Sequence, residues 1–415
     1  MKQFDIIIAG GGMAGATAAL AMAQLGLKIA LVEPIKPELD TSPSFDQRAV
    51  ALSAASINIY KTLGIWQRIQ PLACPIKDIH ISDQGHFGFT RLNATDYGID
   101  ALGQVIPLDQ TGPILWQAIR QTDNIKIFCP SNIVEIDSVI SQLESSQITV
   151  QISDQQDQKT ITAKLLLAAD GTFSSTAKMA DIKVRRESYN QHAVITNIST
   201  ELAHNNRAFE RFTKQGPLAL LPLTRNRMSL VWCQNEEKSS LVMSYSDNEF
   251  IEKLQTAFGY RLGQITRVGE RNQYPLALHL PEQVYSGRVL LLGNSAHTLH
   301  PIAGQGFNIG IRDIAALFDL IQQAQFNGED VGSQQFLNRY QAQRQPDWIQ
   351  TITATDSLVR IFSNDFLPLI IARNKALCLL DKIPFAKQKL AMTAMGFNGE
   401  SAQLTRGISI ANSSQ

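Results

Sequence analysis

The sequence predicts an α/β fold: a Rossmann-like, mostly parallel sheet, interrupted by an antiparallel-sheet insert and followed by a helical C-terminal segment. Three observations predict it. A continuous apolar run, FDIIIA (Phe4–Ala9), leads into GGGMAG and then into a small-residue stretch, ATAALAMAQL. Two later apolar runs, LLLAADG (Leu165–Gly171) and VLLLGN (Val289–Asn294), end in glycine beside a polar residue. Between them, residues 184 to 280 alternate apolar and polar positions, as in RAFERFT, LALLPL and MSLVWC, with turn residues between the runs. Continuous apolar runs suit strands buried on both faces of a parallel sheet, whereas alternation suits strands with one face on a core.

The first unit is a complete βαβ element. Gly10-x-Gly12-x-x-Gly15 follows a strand and opens a helix predicted to end near Gly26; KIALVE (Lys28–Glu33) is the next strand. Gly10 permits the tight turn, Gly12 lets backbone N–H groups approach a pyrophosphate, and Gly15 lets helix and strand pack closely. Met13 and Ala14 belong to the same binding turn, whose helix N-terminus faces the anion. Glu33, at the end of the second strand, is placed to accept hydrogen bonds from ribose hydroxyls and to repel a 2′-phosphate. The bound group is therefore adenosine diphosphate-like, and the motif by itself serves NAD and FAD equally.

Composition narrows the remaining choices. With 415 residues and 44% apolar content, the chain can bury a large core and form two or three packed units. Lys plus Arg and Asp plus Glu are both 37, so no overall field draws it toward nucleic acid. Cys74, Cys129, Cys233 and Cys378 lie far apart with no CxxC pair, which argues against a zinc knuckle or a disulfide framework and fits a reducing cytoplasm. Residues Ile6–Leu27 include no charge over 22 positions, but Gly10, Gly11, Gly12 and Gly15 would break an apolar helix, and Asp5 sits where a signal peptide wants positive charge. In the stretch Leu290–Asp313, His297 and His300 sit three apart and suggest a metal site. No Cys, Asp or Glu lies near them in sequence to complete a ligand set, so no metal is expected.

Three motifs, GGGMAG with Glu33, the Asp170-Gly171 turn with Ser174, and GNSAHTLHPIAGQGFNIG, together resemble those of the flavoprotein aromatic monooxygenases built like para-hydroxybenzoate hydroxylase. The resemblance covers nearly the whole chain. Within that family, FDQRAVALS (Phe45–Ser53), HISDQGHFG (His80–Gly88), ALGQVIPL, RAFERFTKQGPLALLP and LHPIAGQGFN are similar to the ubiquinone-biosynthesis hydroxylases, in particular those acting on a polyprenyl-methoxyphenol. The resemblance implies FAD as cofactor, NADPH or NADH as transient reductant, O2 as co-substrate and a polyprenylated phenol as substrate. It implies that Gly293 and Asn294 reach the ribityl chain and that Pro301 lies beside the isoalloxazine. Gly304, Gln305, Gly306 and Asn308 are then expected in the start of a helix aimed at the ring's pyrimidine edge, with N–H groups that stabilise negative charge on the reduced ring. Asp170 is implied as a further FAD contact, Arg48 as lying near the FAD phosphates and the path of the nicotinamide, and Gln104 and Leu108 as part of an FAD-contacting segment at a helix start.

Two departures from the broad family pattern stand out. Asn294 replaces an aspartate, giving up a charge-assisted hydrogen bond, and Ala177-Lys178 replaces an arginine after the Asp-Gly turn. No catalytic base is identified: His80, His86 and His192 are titratable candidates, but an isolated histidine in strand-like sequence is more often structural. With one glycine motif already committed to FAD, the nicotinamide is expected to visit only transiently. The alternatives are another ring position, another phenol, or a non-catalytic flavoprotein subunit of a biosynthetic complex.

The expected organisation is an FAD-binding domain in three parts (1–72, 101–183 and 281–345), substrate-domain strands at 73–100, an antiparallel-sheet substrate domain at 184–280 and C-terminal helices at 346–415. In the last of these, Arg373, Lys375, Lys382, Lys387 and Lys389 outnumber Asp381 among apolar positions of helical spacing. A basic amphipathic tail of that kind docks on anionic lipid or a partner protein, or packs against the FAD domain. The expected location is the cytoplasm, at most peripheral to the inner membrane.

Overall fold

The structure is a computed structural model and describes residues 2–38, 48–137, 141, 143, 145–154, 157–362, 366–397 and 402–408. Phe45, Asp46 and Gln47, part of one family-like segment, lie outside the described residues. The helices that matter below are α1 (Met13–Ala23), α2 (Ala54–Thr62), α3 (Leu108–Arg120), α4 (Asp247–Phe258), α5 (Gln305–Asn327), α6 (Gln334–Phe362), α7 (Leu367–Lys382) and α8 (Pro384–Ala394).

The apolar runs form the centre of a six-stranded sheet in the order Tyr285–Ser286, Val289–Leu291, Leu165–Ala168, Ile6–Ala9, Ile29–Val32, Ile125–Phe128. All neighbours are parallel except the Tyr285–Ser286 edge. Every residue of Ile6–Ala9, Ile29–Val32 and Leu165–Ala168 is buried, which is why these segments read as unbroken apolar runs. From Ile6–Ala9 the chain crosses to one side and later returns on the other. That reversal opens a crevice beyond the carboxyl ends of the strands, where ligands of open α/β sheets collect.

The alternating segments form an eight-stranded sheet. Its order is Ile265–Val268, Val184–Thr200, Arg227–Asn235, Gly216–Leu223, Arg207–Thr213, Asp78–Asp83, Phe89–Asn93, with Asn272–Pro281 also paired to Val184–Thr200. One face packs on α4 through Phe209, Leu218, Leu220, Trp232, Phe250 and Phe258. The other face looks back toward the parallel sheet. Two features were not legible in the sequence. Cys74–Ile76 joins a three-stranded sheet with Ala49–Ser53 and Gly103–Pro107, and a separate four-stranded sheet is built from Lys2–Gln3, Asn132–Ile136, Ile148–Ser153 and Gln158–Ala163.

The C-terminal helices are anchored by buried charge. Asp347 on α6 accepts from Arg312 Nε at 2.8 Å and Arg344 Nη2 at 2.5 Å, while Asp313 on α5 accepts from Arg344 Nε at 2.7 Å and Trp348 Nε1 at 2.8 Å. Arg373 on α7 is also buried; its Nε donates to Asp83 at 2.9 Å, and Asn374 donates to the same carboxylate at 2.8 Å. This corrects the basic-tail expectation. Arg373 is an internal strut, and Lys387 pairs with Asp96 at 3.4 Å and lies 3.9 Å from Asp381; among the described residues, Lys375, Lys382 and Lys389 make no ion pair. Among the described residues, no helix is long and apolar enough to cross a membrane.

Candidate functional site: a cradle between two helix N-termini

Helix α1 begins at the N-cap Gly12, with no side-chain cap and no acid in its first turn. Its leading N–H groups therefore point into the crevice without an internal acceptor. The neighbouring glycines explain the shape of this turn. Gly10 has φ +95°, and a Cβ there would lie 2.6 Å from the Ala169 carbonyl oxygen. A Cβ on Gly15 would lie 1.9 Å from the Gly10 carbonyl, whereas a Cβ on Gly12 would meet nothing within 4 Å. Gly10 and Gly15 are thus demanded by packing, and Gly12 faces space that the protein leaves open.

Gly11, which the spacing motif leaves unspecified, is equally constrained. A Cβ on it would lie 2.4 Å from the indole of Trp116, and Trp116 Nε1 donates to the Gly11 carbonyl at 2.9 Å. Its N–H donates to Glu33 Oε2 at 2.5 Å, while Glu33 Oε1 accepts from Ile35 N at 2.9 Å. Glu33 is half-buried, and an ionised carboxylate has about four acceptor sites, so it can brace the turn and still receive ribose hydroxyls.

The second wall is the Gly293 corner and the start of α5. Gly293 has φ +60°, a Cβ on it would lie 2.9 Å from the Cβ of Ala14, and a Cβ on Gly310 would lie 2.8 Å from the Gly293 Cα. The two helices and this corner are therefore in direct contact. Asn294 is exposed, and Pro301, Gly304, Gln305 and Gly306 are half-buried along the same rim. Helix α5 starts at the N-cap Gly304, φ +61°, again with no side-chain cap and no acid in the first turn. A Cβ on Gly306 would meet nothing within 4 Å.

Three residues expected to touch the cofactor prove to have structural work. Asn308 is buried and its amide is fully engaged: Oδ1 accepts from Ser53 N and Ser56 Oγ, both at 2.8 Å, and Nδ2 donates to Ala51 O at 2.9 Å and Gly304 O at 2.8 Å. What it contributes to the cradle is position. Asp170 accepts from Thr176 N and Oγ1 at 3.0 Å and from Ser295 Oγ at 3.3 Å, tying the Asp-Gly turn to the Gly293 corner. Gln104 departs from expectation. It lies within the Gly103–Pro107 strand, in register with Leu52, so it shares the face opposite Ala51, the residue that abuts Gly304. Its side chain lines a different cavity, of about 1430 Å³, between α2, residues 96–101 and α8. Arg48 is exposed, and its carbonyl accepts the Leu108 N–H at 2.8 Å where α3 begins.

The two histidines of the GNSAHTLHP segment face different partners. His297 is buried 3.8 Å from Asp313 and tilted against Trp348. His300 Nδ1 accepts the Ile302 N–H at 3.3 Å, so its Nε2 carries the proton toward Gln191 Oε1 at 3.1 Å. Burial pushes His300 down to about 4, only partly offset by Asp356. It is a neutral strut that fixes Pro301 and Ile302 against the eight-stranded sheet.

Two uncapped helix N-termini over a parallel sheet, with open space in front of Gly12 and Gly306, suit an anionic dinucleotide at one end and an electron-accepting ring at the other. The residues fit FAD, and together with the relatives and solved structures that follow, they make the class an FAD-dependent monooxygenase. The chain belongs to the FAD binding domain family, which it matches over residues 3–355. The ubiquinone hydroxylase UbiL of Rhodospirillum rubrum is 30% identical over 410 residues, covering 98% of this chain and 94% of that protein. The 3-demethoxyubiquinol 3-hydroxylase of Escherichia coli is 29% identical over 398 residues, covering 94% and 98% respectively. Among solved structures, p-nitrophenol 4-monooxygenase PnpA from Pseudomonas putida shares the fold with a TM-score of 0.78 at 17% identity, over 97% of this chain and 100% of its own. Bound in this cradle, FAD would supply the redox chemistry of oxygen insertion, with NAD(P)H as reductant and O2 as co-substrate; the protein supplies placement, electrostatics and exclusion of water.

Proposed function

We propose that this chain hydroxylates the aromatic ring of a polyprenylated phenol in ubiquinone biosynthesis, converting 2-polyprenyl-6-methoxyphenol to 2-polyprenyl-6-methoxy-1,4-benzoquinol with NAD(P)H and O2. The observation that carries this reading is near full-length similarity to proteins named as a ubiquinone hydroxylase and a 3-demethoxyubiquinol 3-hydroxylase. In this reading, Gly10, Gly12, Met13, Ala14, Gly15 and Glu33 hold the adenosine diphosphate end of FAD. Arg48 lies along its phosphates, and Gly293, Asn294, Pro301 and the N–H groups of Gly304, Gln305 and Gly306 border the ribityl chain and ring. Residues 1–72, 101–183 and 281–345 serve the cofactor, and 73–100 with 184–280 wall the substrate. Peripheral membrane contact suits a prenylated substrate, and exposed Phe366, Leu367 and Phe385, at 67, 65 and 77%, put an apolar crest on α7 and α8.

A second reading, the same chemistry at another ring position, is favoured by the name of the Escherichia coli relative. The test is mass spectrometry of quinone precursors in aerobically grown cells of the source organism lacking this gene. Accumulation of 2-polyprenyl-6-methoxyphenol is expected. Accumulation of a different intermediate moves the ring position, and an unchanged quinone pool in a strain without a redundant hydroxylase overturns the pathway assignment.

A further inference from the structure

We propose that Arg91, Arg207, Arg211, Arg261 and His80 form a binding site for a phosphomonoester dianion, on the face of the eight-stranded sheet that points away from the FAD cradle. The site is separate from the cradle and does not depend on the hydroxylase reading.

Strand pairing brings these residues together. In Arg207–Thr213, Phe209 packs edge-on against Phe258 of α4, and Arg211 Nε donates to the Ala257 carbonyl at 2.9 Å. Arg207 shares that face by alternation, whereas Phe212 lies on the other and packs in one cluster with Ile302. The neighbouring strand sets Asp78, His80 and Ser82 opposite Arg207, Phe209 and Arg211, and the edge strand sets Arg91 opposite His80. Side-chain contacts fix the same grouping: Arg211 Nη1 donates to Ser82 Oγ at 3.3 Å, and Arg91 Nε donates to His80 Nδ1 at 3.4 Å. Arg261, just past the end of α4, donates through Nη1 to the Phe258 carbonyl at 3.0 Å, one residue from the carbonyl that Arg211 holds.

Four guanidiniums thus converge with little to neutralise them. Arg207 has Asp78 at 4.0 Å; among the described residues, Arg91, Arg211 and Arg261 make no ion pair. The other carboxylates nearby are engaged elsewhere. Asp83 is held by Arg373 and Asn374, Asp381 accepts from Thr90 Oγ1 and the Arg91 N–H, and Glu201 accepts the Gln264 N–H at 2.9 Å. Burial and then the charge of Arg261, only partly offset by Asp83, hold the Arg211 guanidinium below its usual value. Burial and then the charge of Arg91 do the same to Arg261.

His80 points to the same ligand. It is 7% exposed, stacked on Phe89 and edge-on to Phe209. Burial, then the charges of Arg261, Arg91, Arg207 and Arg211, push it down to about 4, so it is neutral at pH 7. Because Nδ1 accepts from Arg91, Nε2 carries the proton, and that buried N–H donates to no protein acceptor; neither does the buried Nε of Arg207. Buried donors are nearly always paired, and two open ones amid surplus positive charge suit an anion.

Capping the end of α4, where a helix favours cations, accounts for one bond each from Arg211 and Arg261 and requires neither Arg91 nor Arg207. Guanidinium forks match the oxygens of a phosphoryl group in bidentate geometry, and a phosphomonoester brings close to two negative charges where a carboxylate brings one. Arg91 and Arg261 are exposed, so the ligand enters from solvent. Free phosphate and the phosphomonoester headgroup of a lipid share this chemistry.

The test uses FAD-loaded, full-length enzyme with inorganic phosphate as probe and chloride at equal ionic strength as control. Calorimetry is expected to show saturable phosphate binding. Arg91→Gln and Arg261→Gln should each weaken it about tenfold, the loss of one charge-assisted contact, and the double variant about a hundredfold. Arg261→Lys, which keeps the charge and loses the fork, should fall between wild type and Arg261→Gln. Phosphate should raise the melting temperature of wild type and not of the double variant, whereas a purely structural role predicts a double variant that melts lower with or without phosphate. Cosedimentation with phosphatidylcholine vesicles, with and without phosphatidic acid, identifies the source. Capture that needs phosphatidic acid and is lost in the double variant assigns a lipid headgroup; phosphate binding without such capture assigns a soluble phosphate. Binding of both probes that is absent from wild type, or equal in wild type and the variants, overturns the proposal. The single variants keep the test decisive where the double variant fails to fold.

Discussion

Replacing Asn308 by alanine should separate the role of that amide from cofactor contact. The amide ties four groups from three segments: the Ser53 N–H, the Ser56 hydroxyl, the Ala51 carbonyl and the Gly304 carbonyl. All lie in a buried junction between the Ala49–Ser53 strand, α2 and the start of α5. Each intramolecular hydrogen bond is worth about 1 kcal/mol net, and a buried group left without a partner costs about 1–3 kcal/mol. Ala51 and Gly304 would lose a donor, and Ser53 and Ser56 an acceptor. Allowing for partial repacking, unfolding free energy should fall by about 3–5 kcal/mol. Because Gly304 is no longer pinned, FAD should also bind at least about tenfold more weakly, equivalent to 1.4 kcal/mol. Urea unfolding of the apoprotein and FAD fluorescence titration measure the two effects independently. A loss of less than about 1 kcal/mol in the apoprotein, with weakened FAD binding, would mean that Asn308 acts on the cofactor directly and that the clasp argument is wrong.

Other outcomes follow from the same geometry. Gly15→Ala, whose Cβ would lie 1.9 Å from the Gly10 carbonyl, should destabilise the apoprotein, whereas Gly12→Asp, with nothing within 4 Å of its Cβ, should leave apoprotein melting nearly unchanged and abolish FAD binding. Equal effects of the two on the apoprotein would contradict the assignment of open space to Gly12. Since His300 is pushed down to about 4 when folded, the unfolded chain binds the extra proton between its ordinary value near 6.5 and that point. Stability is therefore complete above pH 6.5 and is lost as pH falls through 4, by about 3 kcal/mol for this residue. His300→Gln should flatten the acid limb of the unfolding profile by about one proton, and an unchanged slope would show that His300 is not buried neutral. Asp347→Asn should cost about 3–5 kcal/mol in chemical denaturation, because two buried arginines lose their shared partner; a near-neutral result would show that water reaches the network.

The sequence alone determined the parts whose geometry is local. Gly10, Gly12 and Gly15 follow a strand and open a helix, and the physics of that turn is complete within about 30 residues. The buried parallel strands were legible for the same reason, since burial on both faces leaves an unbroken apolar run. The packing constraint on Gly11 is not legible locally because it comes from Trp116, 105 positions away. Asn308 and Gln104 were assigned by resemblance to cofactor contact, but hydrogen bonding consumes the first and strand register turns the second to another face. Arg373 read as part of a basic surface until Asp83, 290 residues earlier, proved to be its buried partner. RAFERFT alternates as a strand should, yet alternation does not say which of its faces meets the cradle. Tertiary structure decided that, because only the packing of Phe209 on α4 and of Phe212 beside Ile302 assigns the two faces. Local turn chemistry is written in neighbouring residues, whereas the direction a side chain faces depends on what the rest of the chain brings against it.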